Sequence, residues 1–185
     1  MTFFLFTLIQ PATASAAESF PIIAVLHAGN APEALAVDTR THMLYIAYES
    51  PGLLVGFDPI SGTVRWRTPL SNSVTDVQVD STSQHVYASA VSYTNRQSNL
   101  YVLNGTNGKI LAALYAGNGD NSIALDARRH IAYATSLDQG TIYKYTFLSG
   151  WQHGPLAVQT SHFSTGKHPA AIGVNSHLGY LYIAD

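Results

Sequence analysis

The sequence contains no cysteine. Disulfide cross-links and thiolate metal sites are therefore excluded, while the redox compartment stays open. Charge is scarce as well. Asp, Glu, Lys and Arg make up 11% of the residues, nine of them basic and eleven acidic. The nine cations are spread thinly and form no basic stripe, which argues against nucleic acid as a partner. No amphipathic helical pattern of useful length occurs, and the apolar stretch Phe3 to Ile9 falls well short of the roughly 20 residues that cross a bilayer. What the chain has instead is apolar bulk. Hydrophobic types supply 46% of 185 residues, enough to bury a core as one ordinary domain and in keeping with well-buried β structure.

The N-terminus, "MTFFLFTLIQPATASAAES", joins that short apolar stretch to Pro11 and to small residues with A-x-A spacing at Ala12/Ala14 and Ala14/Ala16. This is the h-region and cleavage pattern of a secretory signal peptide, although no Lys or Arg precedes the apolar run. A leader over residues 1–17 is expected, and with it an extracytoplasmic location: secreted, periplasmic or cell-surface. A buried N-terminal strand is the other reading.

The rest of the chain repeats itself. "AVDTRTHMLY", "QVDSTSQHVY", "ALDARRHIAY" and "GVNSHLGYLY" each place Asp or Asn seven residues before Tyr. The anchors Asp38, Asp80, Asp126 and Asn175 are 42, 46 and 49 residues apart, a period of blade size. Leu35/Val37, Val77/Val79, Ile123/Leu125 and Ile172/Val174 stand three residues and one residue before each anchor. Between them lie Ala36, Gln78, Ala124 and Gly173. Period two predicts a strand with large residues on one face and mostly small ones on the other, a shape suited to the gap between neighbouring sheets. A polar turn leads to a second strand around each Tyr. Third strands follow at "LLVGF", "NLYVL" and "TIYKY", then turns ending in Gly ("DPISG", "NGTNG", "TFLSG"). Fourth strands are predicted at "TVRWRT", "KILAAL" and, less clearly, "PLAVQT". Each unit thus reads as a four-stranded antiparallel meander, and the fold class as an all-β propeller. A β-sandwich is the competing all-β fold, but it does not require its hairpins to repeat in sequence.

Pro32 and Pro169 ahead of the first strands, Asp38, Tyr45, "VGFDPISG", Asp80, "VY" at 86–87 and "YVLNGTNG" resemble the YVTN-type β-propeller repeat. The resemblance covers residues 22 to 185. It implies fold far more than function. The family's Asn closing the second strand is absent, and the third unit lacks the Asp-led turn. "GTVRWRTPL" also resembles one strand of pyrroloquinoline-quinone-type propellers. The expected layout is a closing strand at 22–28, blades at 33–70, 74–115 and 121–162, and a partial fourth blade at 169–185. The ring is not closed by this chain alone, and missing blades or a second chain are needed to complete it.

In such a meander, the fourth-to-first and second-to-third loops share one rim. Glu33, Asp76, Asp120, Asn121, Lys167 and His168 lie in or beside the fourth-to-first loops and are the candidate ligand residues. Asx-type turn capping is the plain alternative. His42, His85, His130 and His177 fall in first-to-second turns on the other rim, a blade's width apart, and read as polar turn residues rather than metal ligands. The four Tyr read as packing residues with satisfied hydroxyls, the three Asp anchors as turn initiators, and Trp66 and Trp151 as packing or partner-surface residues. "NGT" at 104–106 fits a glycosylation acceptor in a tight turn.

No catalytic motif stands out: there is no G-x-S-x-G, no H-E-x-x-H and no phosphate-binding loop. No cofactor or substrate is identifiable. The expected function is a non-catalytic module that binds a protein, glycan or small ligand on one rim. The alternatives are a portion of a lyase- or quinoprotein-dehydrogenase-like propeller enzyme, or a structural cell-surface repeat.

Overall fold

The computed structural model describes residues 31–148, 158–166 and 168–185. The expected leader, the closing strand at 22–28, Lys167 and Trp151 lie outside the described residues. The described chain is strands and turns throughout. β1 (Pro32–Val37), β2 (Leu44–Tyr48), β3 (Leu53–Asp58) and β4 (Thr63–Pro69) form the first antiparallel sheet, in chain order. β5 (Ser73–Asp80), β6 (His85–Val91), β7 (Gln97–Asn104) and β8 (Ile110–Asn118) form the second. β9 (Ile123–Asp126), β10 (Ile131–Ser136), β11 (Thr141–Phe147) and β12 (Val158–Ser164) form the third, and β13 (Ala171–Asn175) pairs with β14 (Tyr180–Ala184) in a two-stranded fourth. The strand read at "PLAVQT" lies further along the chain as β12, in register from Phe147↔Val158 to Thr141↔Ser164.

The Asp-to-Tyr phrase is the hairpin between the first two strands of each sheet. Asp38 Oδ1 accepts from the Arg40 amide at 2.9 Å, and its Oδ2 from Thr41 Oγ1 at 2.7 Å. Asp80 does the same with the Thr82 amide (2.9 Å) and Ser83 Oγ (2.7 Å), and Asn175 with the amides of His177 and Leu178 (both 3.0 Å). In Asp126 the second partner is the Arg129 guanidinium at 2.7 Å. These carboxylates are turn caps. Burial pulls the pKa of Asp38 and Asp126 upward, but the bonds they accept outweigh it and hold both below the usual carboxylate range.

Four residues after each anchor the backbone turns left-handed, at His42 (φ 62°), Gln84 (58°), His130 (55°) and Gly179 (74°). Glycine adopts this conformation freely, and the other three are held in it by the hairpin. The histidines therefore do not share one role. His42 and His130 make the left-handed turn, whereas His85 opens β6 and is buried at 4% exposure.

The register explains the small residues. Ala36, Gln78, Ala124 and Gly173 sit directly opposite Tyr45, Tyr87, Tyr133 and Tyr182. At Ala36, Ala124 and Gly173 the small cross-strand partner leaves room for the ring, whereas Gln78 opposite Tyr87 is longer. Each sheet thus has a trailing face, carrying Tyr and its cross-strand partner, and a leading face, carrying the large residues around the anchor. The trailing face of one sheet packs on the leading face of the next. Ala36, Tyr45, Leu54 and Trp66 close against Val74, Val77, Val86 and Leu103. Tyr87, Leu100 and Val102 close against Ile123, Ala132 and Tyr145. Trp66 is buried in the first of these interfaces and not on a partner surface.

One backbone carbonyl locks that first interface. Gly105 O accepts from Trp66 Nε1 at 2.9 Å and from the Tyr45 hydroxyl at 3.3 Å. Tyr45 is 1% exposed, and burial pushes its phenol up to about 12, so it remains a neutral donor. A Cβ at Gly105 would lie 2.5 Å from Tyr45 Oη and 2.8 Å from Gln84 O, whereas one at Gly173 would meet nothing within 4 Å. Gly105→Ala is therefore expected to cost about 1–3 kcal/mol in urea unfolding, and Gly173→Ala less than about 0.5 kcal/mol. Equal losses in the two variants would contradict this account of the interface.

Candidate functional site

β1, β5, β9 and β13 are the first strand of each sheet and lie against one another in sequence order, so their starts surround a common mouth. A cavity of about 430 Å³ opens there. Glu33, Asp76, Asp120 and Asn121 line it, together with Thr75 and Ser122. Four of the six residues picked from the sequence are thus brought together. His168 lies just outside: its ring nitrogen Nδ1 contacts the carbonyl of Leu137, a residue of the cavity wall, at 3.1 Å. Lys167 lies outside the described residues.

The positions follow a rule. Glu33, Thr75, Asn121 and Ala170 each stand five residues before an anchor, and Ala34, Asp76 and Ser122 four residues before; all seven line the cavity. In the first two sheets, the residue five before the anchor is a bulge: pairing skips from Pro32 to Ala34 and from Val74 to Asp76. A bulge frees one residue from the ladder and re-aims its side chain. Here the freed residues are Glu33 and Thr75. Glu33 and Asp76 are therefore not equivalent positions. Thr75 and Ser122 were not picked from the sequence, yet counting back a fixed number of residues from each anchor identifies both.

Asp76 ties two sheets together. Its Oδ2 accepts from the Ile123 amide at 2.7 Å and from Ser122 Oγ at 3.1 Å, and its Oδ1 from the Val77 amide at 2.7 Å. Burial nevertheless outweighs these bonds, and the pKa of Asp76 is raised above 3.8. Asn121 is 4% exposed and chiefly structural. Its Nδ2 donates to Ala116 O at 2.7 Å, and its backbone carbonyl accepts from Thr75 Oγ1 (3.1 Å) and Ser89 Oγ (2.9 Å). Turn and strand locking is thus the role shown for Asn121, while Glu33 and Asp120 are exposed at the mouth.

The loops around the mouth are braced. Arg96 makes a two-pronged ion pair with Asp138, Nε to Oδ2 at 2.7 Å and Nη2 to Oδ1 at 3.0 Å. Gly119 N donates to Arg96 O at 2.9 Å, and the Tyr93 amide to Asn72 Oδ1 at 3.0 Å. Second-to-third loops and fourth-to-first loops therefore do share a rim. A second cavity of about 470 Å³ lies at the opposite rim, walled by Thr41, Met43, Tyr45, Gln84 and the Asp58–Arg65 ion pair. Among the described residues, no group of three His, Asp or Glu is placed to hold a metal ion.

No protein-family model and no curated protein matches the chain. Solved structures do. A gluconolactonase, XC5397 from Xanthomonas campestris, superposes with a TM-score of 0.56 at 17% identity, over 80% of this chain and 54% of its own. The β-propeller domain of Cps50 (Swd1) from Myceliophteria thermophila superposes with a TM-score of 0.59 at 12% identity, over 82% of this chain and 49% of its own. The fold is a partial β-propeller. Its sheets are blades, and the chain spans about half the length of these two propellers. Identities this low carry the fold and not the activity.

Asp76 generates a pH test. With its folded pKa raised, its favourable contribution is complete below about 3.8 and is lost as pH rises through the folded value. The Tm of the wild type relative to Asp76→Asn is therefore expected to fall as pH rises from about 3 to 7. A flat difference would show that the carboxylate is not desolvated.

Proposed function

We propose that the chain is part of an exported propeller of the YVTN-repeat type that binds a ligand at the axial mouth without transforming it. One observation carries the binding reading: Glu33, Thr75, Asp76, Asp120 and Ser122, drawn from successive blades, surround one cavity. Its carboxylates accept hydrogen bonds and carry negative charge, so the fitting ligand presents donors, as a glycan hydroxyl or an amine does. The hydroxyls are already engaged. Ser122 Oγ donates to Asp76, and Thr75 Oγ1 bonds Ser89 Oγ at 2.7 Å. Neither is paired with a histidine base, the arrangement that activates a nucleophile. Export rests on the apolar leader and its A-x-A steps.

Thermal-shift screening with neutral oligosaccharides and simple amines tests the binding. A ligand at about 100 times its Kd is expected to raise Tm by roughly 5–10 °C. The double variant Glu33→Gln/Asp120→Asn alters only exposed side chains. It is expected to lose that shift while keeping its ligand-free Tm. A shift that survives the double variant, or no shift with any compound, counts against the mouth as the binding site. Expression in a secreting host tests export: the product is expected outside the cytoplasm with its N-terminus near residue 17.

A further inference from the structure

The cavity of about 470 Å³ on the rim opposite the mouth is built into the boundary between the first two blades. Its walls are turns from both, with Met43 and Ile60 on one side and Gln84, Gly105 and Thr106 on the other. The next boundary carries a ring where this one is bare. Gly105 and Phe147 hold the same place, each donating its amide to the carbonyl of a left-handed turn residue, Gln84 O at 2.8 Å and His130 O at 2.9 Å. Phe147 is 3% exposed and sets its ring edge-on to Tyr87, with centroids 5.5 Å apart. At the first boundary the ring comes from β4 instead, as Trp66, and the second blade presents bare backbone to the cavity.

The walls say what the cavity takes. Met43 is half-buried, and Ile60 is 80% exposed on a turn held by the bond from its amide to Asp58 Oδ1 at 2.9 Å. Together they make an apolar side. The Gln84 carboxamide and the Thr106 hydroxyl belong to the other side, and neither side-chain group makes a hydrogen bond to another described residue. The charges cancel: Arg65 pairs with Asp58 at 2.5 Å, and Asp58 also accepts from the amides of Ile60 and Ser61. From this we infer that the cavity is a binding site for a small neutral amphiphile. Its apolar body seats against Met43 and Ile60, and its head, an amide or an alcohol, exchanges hydrogen bonds with Gln84 and Thr106. Apolar walls with a few convergent polar groups, at this volume, are the usual build of a small-molecule site. A sugar ring fits less well, because Tyr45 is 1% exposed and offers no open aromatic face. A charged ligand fits less well, because it competes with a closed ion pair.

The sequence holds two methionines, Met1 and Met43, so carbon-13 labelling of methionine methyl groups places a reporter in the cavity wall. Met43→Leu assigns its signal. Titration with N-benzylacetamide or benzyl alcohol is expected to shift the Met43 signal saturably, with a Kd of about 1 mM, the level open to a ligand of roughly ten heavy atoms. Gln84→Gly removes the carboxamide and leaves the left-handed turn unstrained, and Thr106→Val removes an exposed hydroxyl. Both variants are expected to keep the wild-type circular dichroism spectrum and to raise Kd about fivefold, the loss of one hydrogen bond. Benzylammonium and benzoate are expected to bind about tenfold more weakly than the neutral probes. The double variant Glu33→Gln/Asp120→Asn is expected to leave the Met43 response unchanged, which separates this cavity from the mouth. A Met43 signal that neither neutral probe moves overturns the proposal. So does a Kd unchanged in both single variants, a charged probe that binds as well as the neutral ones, or a response lost with the mouth variant.

Discussion

The second sheet is apolar on both faces and is packed between two others. This constraint organises the rest. It explains why one meander is written repeatedly, why small Ala36 stands opposite Tyr45 where the first two sheets close, and why a single carbonyl can act as the lock of an interface. Gly105 O receives both the Trp66 indole and the Tyr45 hydroxyl because the absence of a side chain at that turn lets two rings of the preceding blade approach its backbone. Burial of Tyr45 then keeps its proton in place across any physiological pH.

The same stacking creates the mouth. When blades pack side by side, the starts of their innermost strands converge, and whatever stands just before those strands lines a shared space. Polar residues there serve two purposes. Asn121 and Asp76 stitch neighbouring blades together, and Asp76 does so with its carboxylate shielded from water. Glu33 and Asp120 are exposed to solvent at the mouth. Capping, one of the two roles weighed at the level of sequence, falls to Asn121 and Asp76, and Glu33 and Asp120 are the residues the proposed binding would use.

The period, the strand order within each blade and the turn-capping role of the anchors were readable beforehand, because they depend on residues near in sequence. Asp38 with Thr41, and Asp80 with Ser83, are three residues apart. Other readings were decided by long-range contacts. Trp66, placed on an outer strand, was left between packing and a partner surface, and the structure buries it because the second blade's turn folds over it. All four histidines were read as polar turn residues, but His85 begins β6 and is buried. Thr75 and Ser122 were passed over because polar residues beside a strand carry no mark of their own.

The sequence by itself determined the repeating unit, since alternation and turn chemistry are local and each blade restates them. Only the tertiary structure decided which residues meet. The bulges that release Glu33 and Thr75 are set by strand pairing within a blade, and the shared carbonyl of Gly105 and the burial of Tyr45 are properties of one blade set against another. Strand phase repeats in every unit, but contacts across a blade boundary form only in three dimensions.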